Sequence, residues 1–117
     1  LVDLLGLPAG TRPVFVSGAT VANSACLAAA RDAVLAGLGW DVQSDGLFGA
    51  PPIEVVVGER AHSTLSKSLG LVGLGRDRVT VVPADDQGRL RAERLPRSTG
   101  PVLVCAQAGE VNTGAFD

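Results

Sequence analysis

The stretch Ile53-Glu54-Val55-Val56-Val57-Gly58-Glu59-Arg60-Ala61-His62 decides the fold. Its β-branched run, Ile53 to Val57, reads as a buried strand. Gly58 to Ala61 turn the chain, and a helix is expected from about His62 to Leu71, broken up by Gly70, Gly73 and Gly75. Val79-Thr80-Val81-Val82 then reads as another strand, stopped by Pro83.

The same alternation continues outward. Towards the C-terminus come a turn at Asp85-Asp86-Gln87-Gly88, a short helix from Leu90 to Leu95 and a strand from Pro101 to Ala106. A polar loop, Gln107 to Gly114, closes that side. Towards the N-terminus lie a Gly- and Pro-bearing loop, Asp41 to Pro52, and an Ala-rich helix expected from Val21 to Leu38. Apolar residues at 22, 25, 26, 29, 33 and 36 mark its expected buried face. Before it stand a turn, Ser17 to Thr20, a short strand, Pro13 to Val16, and a helix tail at Leu1 to Leu7. Apolar strands alternating with helices belong to parallel sheets covered on both faces, so the class is α/β.

The totals narrow the function. The 117 residues suffice for one core, with 46% hydrophobic and 19% charged residues. Ten basic and twelve acidic residues give a net charge of -2, which offers no basic face for nucleic acid. The longest apolar stretch is interrupted by Arg31 and Asp32, so no membrane span is expected. Cys26 and Cys105 sit in apolar runs without metal spacing; both are expected to be buried, with a cytoplasmic setting. There is no Met, and the sequence stops at Asp117 just beyond a strand-like run. The expectation is therefore a single partial domain, 1–117, cut at both ends from a longer chain.

Ligands of parallel sheets bind at the loops beyond the strand C-termini. Three such loops carry polar or small residues. At Ser17-Gly18-Ala19-Thr20, free amides at a helix start can hold an anion, with Gly18 and Ala19 permitting close approach; alternatively Ser17 or Thr20 simply caps the helix. In Gly58 to Ser63, the lone His62 can stack on a flat ring or move a proton, or it is an ordinary structural histidine. One histidine without carboxylate or thiol neighbours makes no metal site. The third loop, Gln107 to Gly114, is either a ligand loop or a plain turn. Neither a Walker lysine pattern nor a spaced GxGxxG occurs.

Four segments carry a resemblance: Ser17-Gly18-Ala19-Thr20-Val21-Ala22-Asn23, Ala61-His62-Ser63-Thr64 with Lys67 to Gly75 behind it, Val82-Pro83-Ala84-Asp85-Asp86-Gln87-Gly88, and Gln107 to Asp117. In this order and spacing, from about Pro13 to Asp117, the sequence resembles the group II pyridoxal-phosphate-dependent amino-acid decarboxylases. The resemblance implies part of the mostly parallel-sheet large domain of the aspartate-aminotransferase-like, fold type I, enzymes. It implies pyridoxal 5'-phosphate as cofactor, an L-amino acid as substrate, loss of the α-carboxylate as CO2, and a homodimer.

It also implies roles. Ala19 and Thr20 match the positions that hold the cofactor phosphate, with Ser17 and Gly18 also in the cofactor-binding turn, and His62 matches the histidine that stacks on the pyridine ring and aids proton transfer. Val111 and Asn112 match the loop beside the cofactor. Three positions depart from the common pattern. Val111 replaces a hydroxyl residue, Val16 replaces Thr, and Glu110 replaces Asn, setting a carboxylate near an anionic cofactor unless it points away. The family's pyridinium-pairing aspartate and cofactor-linking lysine match nothing here; Lys67 is the only lysine and is expected to face solvent. These 117 residues alone are therefore expected to be inactive and to leave strand edges and apolar faces bare. The alternatives are a non-catalytic module binding a phosphorylated small molecule, or a related enzyme of the same cofactor making aldehydes or transferring amino groups.

Overall fold

The structure, a computed structural model, describes residues 1–117. Three parallel strands form one sheet: β1 (Glu54–Gly58), β2 (Val79–Val82) and β3 (Val102–Cys105), in the order β2-β1-β3. Three helices accompany them: α1 (Ala19–Ala36), α2 (Val42–Asp45) and α3 (Ser63–Leu71). Val55 pairs with Val79 on one side and Leu103 on the other, which makes the β-branched run the middle of the sheet.

Being central, β1 buries Val55, Val56 and Val57 together. Val55 and Val57 share a face, and there they pack with Leu27 of α1 and with Leu69 and Val72 from α3 and its end. The β1-to-β2 and β2-to-β3 connections run in opposite directions across the sheet. Right-handed crossovers therefore place them on opposite faces. Leu90, in the second connection, accordingly packs against Gly58 on the face that carries Val56.

Several sequence expectations are corrected. Pro13 to Val16 form no strand, and Val14 and Phe15 are 78% and 88% exposed. A strand needs a neighbour to pair with, and none lies beside this segment. Leu1 to Leu7 form turns rather than the end of a helix, and the 41–52 loop contains the helical turn α2, capped by Asp41. The expected 90–95 helix is only a 3-10 turn, Ala92–Arg94.

Helix α1 exists, but it is rotated from its expected setting. Residues 25, 26, 29, 33 and 36 are exposed, whereas Leu27 and Leu35 are buried. Two leucines offer more apolar area than a row of alanines, so they decide which face turns inward. Cys26 lies on the outer side and is exposed; Cys105 is half-buried, and both thiols are free.

Only 12 of 117 residues are buried, and the accessible surface is 7917 Å². A compact monomer of 11.9 kDa exposes about 5,900 Å². The excess of roughly 2,000 Å² includes Phe15, Phe48, Val81, Val104 and Phe116. No helix is long and apolar enough to cross a membrane.

Candidate functional site

The chain leaves β1 at Gly58 and re-enters helix at Ser63, with His62 as the N-cap of α3. The cap is made by the imidazole itself: Thr64 N–H donates to His62 Nδ1 at 3.2 Å. Thr64 Oγ1 lies 3.0 Å from the same nitrogen, and Asn23 Nδ2 on α1 donates to that oxygen at 3.1 Å. On the other side, Gln107 Oε1 at the end of β3 accepts the His62 backbone N–H at 3.0 Å. Asn23, His62 and Gln107 line a cleft of about 180 Å³ together with Leu65, Cys105 and Ala108. A separate cleft, of about 260 Å³, surrounds Trp40, Asp41 and Gln43 beyond the far end of α1, away from the strand-end loops.

Ser17 and Thr20 do not cap α1. Gly18 is the N-cap and no side chain bonds there. The helical ladder starts with Ala22 N–H to the Gly18 carbonyl, so the amides of Ala19, Thr20 and Val21 have no backbone partner. A Cβ at Gly18 would meet nothing within 4 Å, which leaves the approach open. The Thr20 carbonyl accepts hydrogen bonds from Ser24 Oγ at 2.8 Å and from the fully buried Ser68 Oγ at 3.1 Å. The first turn of α1 is thereby tied to α3 six residues beyond His62, about 9 Å of helix rise.

The third loop folds on itself. An Ala108–Phe116 bridge closes it, and the Asp117 carboxylate accepts Gln107 N–H at 2.8 Å and Leu90 N–H at 2.7 Å. Glu110 is 5% exposed. Its carboxylate accepts the backbone and side-chain donors of both Asn112 and Thr113. It is covered by its own loop rather than by the body of the protein. Desolvation pushes the Glu110 pKa upwards, but the four hydrogen bonds together outweigh it and hold the carboxyl below its ordinary range. The carboxylate thus points into the loop, which answers the concern raised by a negative charge at this position. Val111 is 77% exposed at the tip, and Asn112 is engaged with Glu110.

His62 and the α1 start are therefore brought into one network. No hydrogen bond joins Val111 or Asn112 to either of them. Sequence reading assigned no role to Asn23, Thr64, Ser68, Gln107 or Asp117. Asn23 had one legible signal: Asn is a poor helix former, so its place within an Ala-rich helix calls for a side-chain partner. Lys67 is exposed on α3. No group of three or more His, Cys, Asp or Glu side chains gathers as a metal site.

The solved neighbours of this parallel α/β sheet place the chain in the fold type I class of pyridoxal-phosphate enzymes. No family model matches. The chain is 35% identical over 85 residues to human cysteine sulfinic acid decarboxylase, covering 66% of this chain and 17% of that protein. It is 29% identical over 137 residues to L-2,4-diaminobutyrate decarboxylase of Acinetobacter baumannii, covering 99% of this chain and 27% of that one. Among solved structures, Oryza sativa TDC with PLP and tryptamine superposes with a TM-score of 0.75 at 25% identity, covering 97% of this chain and 26% of that one. The chain belongs to the group II pyridoxal-phosphate-dependent amino-acid decarboxylase family. It spans between about a sixth and about a quarter of the length of these relatives.

Proposed function

We propose that this chain is part of the cofactor-binding large domain of an L-amino-acid decarboxylase that uses pyridoxal 5'-phosphate. The observation that carries this reading is the hydrogen-bonded path from α1 to His62 through Asn23 and Thr64, with the α1 start also tied to α3 by the Thr20–Ser68 bond. Free amides at a helix start suit a phosphate, and an exposed ring about one short helix away suits a flat heterocycle. The residues present fit the group on both counts.

In this reading Ser17, Gly18, Ala19 and Thr20 hold the phosphate, the last two chiefly through their backbone amides. His62 lies against the cofactor ring and delivers a proton to the substrate's α-carbon after the carboxylate has left. Val111 and Asn112 flank the cofactor from the third loop, with Val111 contributing apolar contact only. When bound, pyridoxal phosphate supplies the electron sink that makes loss of CO2 feasible. Lys67 does not link the cofactor.

The protein is further proposed to act as a homodimer in the cytoplasm. The family resemblance supports the homodimer, and two free thiols suit a reducing compartment.

The test is CO2 release by the native protein, loaded with pyridoxal phosphate, from a panel of L-amino acids. Release that falls at least a hundredfold in His62→Gln supports the assignment. No release from any amino acid by fully loaded protein overturns it. Reductive trapping followed by peptide mapping tests the lysine: cofactor found on Lys67 contradicts the reading.

A further inference from the structure

We propose that Asn23 and Thr64 are positioning residues that hold His62 as its Nε2–H tautomer. The inference rests on the reading of His62 as a proton-transfer group, and deepens it by naming the atom that carries the proton.

A backbone N–H can only donate. The Thr64 N–H, 3.2 Å from His62 Nδ1, therefore requires a lone pair on that nitrogen. The hydroxyl of Thr64 adds a second constraint. Asn23 Nδ2 is also only a donor, and at 3.1 Å it occupies a lone pair of Thr64 Oγ1. The hydroxyl's own proton is then free to point at Nδ1, 3.0 Å away. Nδ1 thus faces two donors, and a proton on it would be set against both.

In a neutral imidazole the proton must then sit on Nε2. No protein group bonds Nε2, whereas the Nδ1 side is anchored to two helices, α3 directly and α1 through Asn23. The network fixes the ring's orientation and leaves its proton on the nitrogen that is available to a ligand. Gln107 holds the backbone of the same residue from the β3 side, so the imidazole is braced on both flanks.

The test is a two-bond proton–nitrogen correlation spectrum of the holoenzyme labelled with ¹⁵N-histidine, recorded without amino acid. The His62 signal is assigned by its loss in His62→Gln. Wild type and Thr64→Ser are expected to show Nε2–H in roughly fivefold excess or more. Asn23→Asp places an acceptor beside the Thr64 hydroxyl and draws its proton away from Nδ1; Thr64→Val removes the hydroxyl. Each is expected to shrink the excess and to lower kcat about tenfold with KM unchanged.

Predominant Nδ1–H in wild type overturns the proposal, as does a wild-type tautomer ratio in Asn23→Asp. Should Thr64→Val not fold, wild type and Asn23→Asp still decide. Failure of the functional reading is separately visible: full CO2 release by His62→Gln removes the proton-transfer role, whatever the tautomer.

Discussion

Gln107 Oε1, at the end of β3, accepts the backbone N–H of His62 at 3.0 Å, across 45 positions of sequence. The bond sets the spacing between two strand-end loops that neighbouring strands alone would leave adjustable. Gln107→Ala is expected to destabilise the native protein by about 1 kcal/mol, as one acceptor is lost. It should also lower kcat/KM several-fold as the imidazole loosens. Urea denaturation and steady-state kinetics check both.

Glu110 gives a pH dependence with a defined sign. Its carboxyl is held below its ordinary value of 4.5, because the donors of Thr113 and Asn112 outweigh the opposing desolvation. A lowered folded-state pKa means that the stabilisation is present above 4.5 and is lost as pH falls through the folded value. Glu110→Gln is expected to be less stable than wild type at neutral pH, and the gap should close below pH 4.5. Denaturation midpoints measured between about pH 3 and pH 7 check the trend.

Two nearby glycines should respond with opposite signs. Gly73 has φ +77°, and a Cβ there would lie 2.6 Å from Leu47 Cδ1. Gly70, inside α3, has open space at that position. Gly73→Ala is expected to cost about 1–2 kcal/mol through left-handed backbone strain, since the Leu47 methyl can move aside. Gly70→Ala should stabilise by about 0.5–1 kcal/mol, as the unfolded chain loses freedom. Thermal denaturation of both variants provides the comparison.

The two thiols should differ in reactivity. Cys26 is exposed on α1, whereas burial pushes the half-buried Cys105 thiol above its ordinary 9.0. A higher pKa leaves less thiolate at neutral pH. Limited alkylation of the 117-residue chain near pH 7.5, followed by mass mapping, is expected to label Cys26 first.

The exposed apolar side chains predict association. Phe15, Phe48, Val81, Val104 and Phe116 are all between 56% and 100% exposed except Val104, at 46%. The 117 residues alone are expected to bind a hydrophobic dye and to sediment as concentration-dependent oligomers. A dye-silent monomer with one cooperative thermal transition would contradict this.

The elements that were legible are those with a local cause. Ile53 to Val57 is β-branched throughout apart from Glu54, and Val79 to Val82 is β-branched at every position, so the pleated conformation follows from the side chains themselves. The Ala-rich run made a helix for the same kind of reason. Pro13 to Val16 carry the same local signal and remain unpaired, because strand formation also requires a neighbour. At the candidate site, His62 and the glycine-bearing helix start stood out by type and position. Gln107 did not, and Asn23 showed only that it needed some partner, because their partners lie 45 and 41 positions away.

The sequence by itself determined that strands and helices alternate from Ile53 onward, that those strands are parallel, and that the loops after Val57 and after Cys105 lie at one sheet edge. These follow from periodicity and from the chirality of the chain. Only the tertiary structure decided that α1 turns Leu27 and Leu35 inward, that Glu110 folds into its own loop, and that the His62 ring is braced through Asn23 and Thr64. Each of those depends on a hydrogen bond or a packed contact that local preference cannot rank against its competitors until the partner is in place.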